Sequence, residues 1–125
     1  MPTRAFVSKE LANLLGVLSH PHRIRIIEEL RDGEKDVNSL QIILGVSHSG
    51  VSQHLSLLRS RRLVEERREG RHVFYHLSQP ALARWLTDGL AFLEASANQV
   101  NELREAVEAT KSLWTSEPPA ADGSS

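Results

Sequence analysis

The sequence contains no cysteine, and this absence excludes several kinds of site. A chain without thiols has no disulfide framework, no thiolate metal site and no thiol redox switch. It also lacks any apolar run near the 18 residues of a membrane span, so we expect no membrane partner. The first ten residues, MPTRAFVSKE, hold no apolar signal core, and we therefore expect a cytoplasmic protein.

Signatures of catalysis are missing as well. There is no cysteine nucleophile, no glycine loop that would cradle a phosphate, and no pair of carboxylates on a recognisable scaffold. We expect neither an enzyme nor a bound cofactor. The 125 residues, 40% hydrophobic and 25% charged, suit one globular domain with a modest core.

The chain has no overall excess of basic residues, since its formal net charge is −1, but the charge is unevenly distributed. Residues 47–76 carry six arginines against three glutamates, a net charge of +3, whereas residues 77–125 carry three basic against seven acidic groups. A local basic patch is what attracts a protein to phosphate, and the total charge can hide it. Composition therefore leaves nucleic-acid binding open.

Apolar spacing predicts two helices after an N-terminal arm of residues 1–7, one over residues 8–18 and one over 21–31. In both, apolar residues recur at the helical spacing that forms one buried stripe. Pro21 favours a helix start, and Gly33 favours a helix end. The two stripes consist of Leu11, Leu14, Leu15 and Leu18, and of Ile24, Ile27 and Leu30.

The segment Val37–Arg59, VNSLQIILGVSHSGVSQHLSLLR, predicts two helices joined by a tight turn. Asp36 is a suitable N-cap for the first helix and Ser47 for the second, and Gly45 can adopt the positive φ of a sharp helix end. Helices joined by three residues must cross steeply, as in a helix-turn-helix. The inward residues are Val37, Leu40 and Leu44 on the first helix, and Val51, Leu55 and Leu58 on the second.

Residues 63–77 change to the two-residue alternation of β-strands. Glu69-Gly70 is a turn signal between two alternating runs, so this segment predicts a β-hairpin with arginines near its tip. A hairpin in this place after a helix-turn-helix is a wing.

Pro80 begins a predicted fifth helix that runs to about Trp114 and would be about 51 Å long. Its apolar residues alternate by four and three, which is typical of a coiled-coil seam, with one irregularity near Val100. So small a domain cannot bury this seam, and we expect a second subunit to cover it. Residues 115–125 have a disordered composition. The predicted dimer interface comprises Leu11, Leu14, Leu15, Leu86, Leu90, Leu93 and Val100.

Over residues 10–95 the chain resembles the ArsR/SmtB family of winged-helix transcriptional repressors. The segments LSHPHRIRIIEEL, VNSLQIILGVSHSGVSQHLSLLR and RLVEERREGRHVFYHL carry the resemblance, followed by the closing amphipathic helix. The resemblance implies a mainly α fold with a small β-hairpin, in the order ααααββα. It also implies a homodimer formed by the first and last helices, with two recognition helices in successive major grooves of an inverted-repeat operator.

In this family repression is usually relieved by an inducer, in many members a metal ion or an arsenical. The metal ligands come from cysteines on the third helix or from Asp, His and Glu sets on the last helix. Neither pattern is present, because Asp36 and Asn38 occupy the third-helix positions and the last helix has no histidine. The resemblance therefore supports binding to double-stranded DNA and leaves the effector unknown.

Candidate DNA contacts lie on the outer face of the recognition helix and on the wing. Gln can hydrogen-bond adenine bidentately, Ser and His can contact bases or phosphate, and a glycine permits close approach. Arginines near the wing suit phosphate contacts, although Arg61, Arg62 and Arg67 could instead pair with Glu65, Glu66 and Glu69. The candidates are His48, Ser49, Gly50, Ser52, Gln53, Arg59, Arg68 and Arg71.

Two alternatives stay open at this point. One is a metal-responsive repressor with an unconventional histidine site, for which His20 and His22, near a possible dimer surface, are the pair to test. His54 is ambiguous between packing, phosphate contact and base contact. The other is a protein-interaction module that uses the long last helix to bind a partner.

Overall fold

A computed structural model describes residues 3–96 and 101–115. The helices are α1 (Arg4–Val17), α2 (Pro21–Glu29), α3 (Val37–Leu44), α4 (His48–Ser60), α5 (Ala81–Ser96) and α6 (Asn101–Thr115), and the strands are β1 (Lys35–Asp36), β2 (Val64–Glu69) and β3 (His72–Leu77). The chain divides after Pro80 into two compact units. None of the described helices is both long and apolar enough to span a bilayer.

The helix-turn-helix formed by α3 and α4 confirms the predicted capping residues. Asp36 accepts a hydrogen bond from the Ser39 amide at 3.0 Å, and Ser47 accepts one from the Gly50 amide at 3.1 Å. Gly45 has φ +68 and ends α3 in the left-handed conformation. These contacts satisfy amide groups that a helix start leaves without intrahelical partners, and so fix where α4 begins.

The core of the first unit lies under α4. Val51, Leu55 and Leu58 are fully buried, as is Leu40 of α3, which confirms the stripe predicted for the recognition helix. In α2 the prediction was partly wrong, because Ile26 is fully buried and Ile24 only half-buried.

Glu28 of α2 is the buried charged side chain of this unit, with 8% of its surface exposed. It forms an ion pair with Arg31 and lies beside Glu29. Burial, reinforced by Glu29, outweighs the arginine and raises the pKa of Glu28 to about 6.

The start of α1 corrects the predicted N-terminal arm. Thr3 accepts a hydrogen bond from the Phe6 amide at 3.2 Å, so the helix begins at Arg4 instead of near Ser8. The apolar stripe of α1 is also only partly covered within one chain. Leu18 is buried, whereas 49% of Leu11 and 48% of Leu15 are exposed.

The wing is a three-stranded antiparallel sheet in the order β1-β3-β2, with one more strand than predicted. Strands β2 and β3 pair from Val64 opposite Leu77 to Glu69 opposite His72, as expected for a hairpin. The added strand is two residues long and pairs Lys35 with Tyr75. So short a strand has no periodicity of its own, and its pairing becomes visible only when β3 lies beside it.

The second unit corrects the single long helix, because it contains two helices that contact each other. The Lys111 ammonium donates a hydrogen bond to Glu94 at 2.7 Å. In one continuous helix these residues would be about 25 Å apart, so α5 and α6 cannot be continuous. Val100, where the seam was irregular, lies outside the described residues. An interaction module built on one long helix loses its premise.

The apolar residues of this second unit are unevenly covered. Leu90 and Val107 are buried and Leu86 is half-buried, whereas 49% of Leu93 and 78% of Phe92 are exposed. Large apolar side chains exposed at consecutive positions, as at Phe92 and Leu93, are typical of a surface that another chain covers.

Candidate nucleic-acid interface

The outer face of α4 presents a short polar surface. His48, Ser49 and Gln53 are exposed and Ser52 is partly exposed. The burial of Val51 and Leu55 on the opposite side forces these polar residues outward, since side chains three and four positions apart share one helix face. A surface of imidazole, hydroxyl and amide groups can donate and accept hydrogen bonds at base edges.

Gly50 has a local reason to be glycine. A Cβ at this position would lie 3.2 Å from the Ser47 hydroxyl, which is itself the cap of α4. The absent side chain thus protects the cap geometry, in addition to any close approach by DNA.

The arginines near the wing differ sharply in their surroundings. Arg67 is held on three sides. It donates to Glu34 at 2.6 and 3.2 Å and to Glu69 at 3.0 Å, and its guanidinium lies 4.6 Å from the centre of the Phe74 ring. The arginine lowers the pKa of Glu34 through these hydrogen bonds. Pairing of Arg67 with one of the wing glutamates was left open by the sequence, and the structure shows it with Glu69. Glu34 is a partner that the sequence did not indicate.

Glu66 connects the end of α4 to the wing. Its carboxylate pairs with Arg59 at 3.1 Å and Arg68 at 3.6 Å, and it accepts a hydrogen bond from the Tyr75 hydroxyl at 3.0 Å. Burial, and secondarily Glu66, raises the pKa of Tyr75, so this hydroxyl stays a donor. Glu66 thereby fixes Arg59 and Arg68 relative to each other while their side chains remain 56% and 72% exposed.

Arg71, at the tip of the wing, is exposed and forms no ion pair with any residue of the described chain. Arg61 and Arg62 likewise form none among residues 3–96 and 101–115, so the glutamate pairs suggested for them are absent there. Arg71 therefore has the least compensated positive charge among the three candidate phosphate contacts.

A cleft of about 230 Å³ separates the start of α4 from the wing. Four of the eight predicted DNA contacts line it together, and the others lie outside it. Those four are His48, Ser52, Arg68 and Arg71. Asp36 also lines the cleft, and the hydrogen bonds from Ser39 lower its pKa and keep it ionised.

His54 points away from this surface, toward the start of α2. Its Nδ1 lies 3.3 Å from Nη1 of Arg23, whose Nε donates to the Val17 carbonyl at 2.5 Å. The ring centres of His20 and His54 are 4.4 Å apart. Desolvation and the neighbouring positive charges lower the pKa of both histidines. This cluster brings together residues more than 30 positions apart. The sequence indicated only the pair His20 and His22, the two histidines beside Pro21.

Comparison with known proteins places this geometry among bacterial regulators. A family model described as bacterial regulatory protein, arsR family, matches residues 20–66. The biofilm growth-associated repressor of Xylella fastidiosa (strain Temecula1) is 38% identical over 77 residues, which make up 62% of this chain and 68% of that protein.

Solved structures give the same picture. The crystal structure of Rv0081 from M. tuberculosis superposes with a TM-score of 0.67 at 31% identity, covering 74% of this chain and 94% of that one. The homodimeric winged helix-turn-helix DNA-binding domain Mb0332 from Mycobacterium bovis, a possible ArsR-family regulator, superposes with a TM-score of 0.62 at 26% identity, covering 78% and 89%.

Proposed function

Because the chain belongs to the arsR family of bacterial regulatory proteins, we propose that it is a transcriptional repressor that binds promoter DNA as a homodimer. The observation that carries the proposal is the polar outer face of α4 beside an arginine-bearing wing. The fully buried stripe of α4 holds that face outward, and Ser47 fixes its first turn. A helix of this kind fits the major groove, which is about 12 Å wide.

Within this interface the side chains divide the work of recognition. Gln53 is the candidate for bidentate hydrogen bonding to adenine, and His48, Ser49 and Ser52 surround it near the start of α4. Arg71 and Arg68 serve the phosphate backbone, which fixes register and supplies affinity without reading sequence. Arg59, in the last turn of α4, also contacts the phosphate backbone.

Two such helices, one from each subunit, would read an inverted repeat. Half-sites then lie about 34–36 Å apart, or a multiple of that distance. The exposed apolar residues on α1 and on α5 are the candidate dimer contacts, among them Leu11, Leu15 and Leu93. Occupying promoter DNA with this dimer would block transcription.

The test begins with selection of bound fragments from the source genome, followed by a footprint on the enriched site. Gln53→Ala should lose about 1–3 kcal/mol of preference for the correct base at one position of each half-site. Gln79→Ala is the matched control, because Gln79 is an exposed glutamine outside the candidate interface. A wild-type protein that enriches no sequence, or equal specificity of the two variants, would count against the proposal.

A further inference from the structure

Three histidines from separate parts of the chain meet beside the recognition helix. His20 precedes α2, His22 lies in its first turn, and His54 lies on α4. One potential ligand atom from each residue lies within 4.8 Å of the other two. All three side chains are half-buried, so the cluster is both partly enclosed and open to entry from solvent.

We propose that His20, His22 and His54 form a binding site for one divalent transition-metal ion, such as Zn²⁺ or Co²⁺. Three imidazoles are a ligand set that such ions prefer, whereas Mg²⁺ and Ca²⁺ require oxygen ligands. Three protein ligands leave a fourth position for water or another small ligand.

The spacing requires only a small contraction. Tetrahedral zinc with Zn–N bonds of 2.0–2.1 Å holds its nitrogens about 3.3–3.4 Å apart. The limit of 4.8 Å between ligand atoms therefore has to shorten by about 1.5 Å at most. Because His20 lies just outside a helix and His22 in its first turn, rotation about their side-chain bonds supplies this shift without displacing the core.

Metal binding must compete with hydrogen bonds that the cluster already makes. Nδ1 of His20 accepts from the His22 amide at 3.0 Å, and Nδ1 of His54 faces Arg23 at 3.3 Å. A neutral imidazole has only one nitrogen lone pair. When a metal ion binds the lone pair of His54, His54 can no longer accept a hydrogen bond from Arg23. The guanidinium is also a positive charge that must move away from the ion.

Arg23 is thus the built-in competitor of the metal. It currently links the end of α1, through the Val17 carbonyl, to His54 on α4. In the occupied site the ion replaces this link by one between the start of α2 and α4. Metal binding therefore changes what holds the recognition helix, although the site itself does not depend on the proposed function.

The test is titration of the full chain, stripped of metal, with Co²⁺ followed by visible absorption, and with Zn²⁺ against a chromophoric chelator. We expect one ion per chain. Loss of outer ligand partners lowers metal affinity roughly 10- to 100-fold, so loss of a direct ligand in His22→Gln should cost about 100-fold or more. His20→Ser removes the second imidazole while keeping a residue that can cap α2.

The control variant is His76→Gln, which removes a histidine that lies on β3, outside the cluster, and should leave affinity unchanged. Arg23→Gln removes the competitor and should tighten binding by roughly 2- to 10-fold, the equivalent of one hydrogen bond. Far-ultraviolet circular dichroism establishes that each variant is folded. Absence of cobalt binding in the wild type, or equal binding by His22→Gln, His20→Ser and His76→Gln, overturns the proposal.

A consequence for DNA rests on the proposed function and is measured separately. Operator affinity with and without Zn²⁺ should differ in the wild type and not in His22→Gln, and the coupling must be reciprocal. If the protein binds metal but operator affinity is unchanged, the site stands and only the coupling is refuted. If no operator is found, the metal titration still decides the site.

Discussion

Replacing arginines of the wing one at a time separates a free charge from a compensated one. Arg71 is exposed and unpaired within the described chain, whereas Arg67 is bound by the carboxylates of Glu34 and Glu69. In Arg71→Ala the dimer loses two phosphate contacts, and the log–log salt slope should become shallower by about 1.8. In Arg67→Ala the slope should change by less than about 0.5, because a charge already neutralised releases few counterions.

The absolute slope follows from the same count. If Arg59, Arg68 and Arg71 each neutralise one phosphate in both subunits, the wild-type slope is about −5. The sharing of Glu66 by Arg59 and Arg68 would make it shallower than that. A slope near zero would remove the DNA-binding hypothesis.

The assay is fluorescence anisotropy of a labelled operator fragment at salt concentrations from about 50 to 200 mM, the range over which phosphate contacts dominate affinity. Over this fourfold range, the ratio of the wild-type binding constant to that of Arg71→Ala should decrease about tenfold. The ratio of the wild-type binding constant to that of Arg67→Ala should stay nearly constant. Equal slope changes in the two variants, or none in either, would refute the assignment of Arg71 as the free phosphate contact.

Three further predictions concern pH, backbone strain and assembly. Because the pKa of Glu28 is raised to about 6, the folded state binds the Glu28 proton more tightly than the unfolded state does. As the pH rises from about 4.5 to 6 this proton is lost, and the free energy of unfolding of the wild type should fall by about 1–2 kcal/mol relative to that of Glu28→Gln, measured by urea unfolding. Gly45→Ala should cost about 1–2 kcal/mol through its φ of +68, and Gly45→Asn less, in the same measurement. Leu11→Asp should weaken dimerisation about 100-fold or more in sedimentation experiments, from two lost apolar contacts of about 1.5 kcal/mol each. Ile42→Asp, at a residue 80% exposed on α3 and outside the predicted interface, should leave the dimer intact, and the opposite ranking would contradict that interface.

Local rules account for the parts of the fold that were predicted correctly. Asp36 and Ser47 cap their helices because a short oxygen-bearing side chain can reach an amide two or three residues ahead. The burial of Val51, Leu55 and Leu58 follows from helical periodicity alone. These features depend on neighbours within a few positions, so the sequence displays them directly.

Two of the errors arose where contacts join distant residues. The seam residues follow the same spacing before and after one irregularity near position 100, and that irregularity by itself did not predict the contact between Glu94 and Lys111. The two-residue strand β1 exists only because β3 offers it hydrogen bonds. In each case the deciding partner is 17 or more positions away, beyond the reach of periodicity.

The candidate site shows the same division. The outer face of α4 was predictable, because the buried stripe determines which residues remain outside. The sequence shows how many charged residues the wing contains, but it does not show which of its arginines form ion pairs with carboxylates. Glu34 is 33 positions from Arg67, and this separation hides their pairing from any local pattern.

The sequence by itself determined the recognition unit, since caps, helical periodicity and the strand alternation of the wing are properties of neighbouring residues. The tertiary structure alone determined which charged groups and which imidazoles lie close enough to interact. Electrostatic and ligand contacts depend on distance in space, and folding brought Glu66 between Arg59 and Arg68 and placed His54 beside His20 and His22. The local features therefore describe a DNA-binding helix-turn-helix with a wing, and the tertiary contacts show which of its side chains are already bound to other residues.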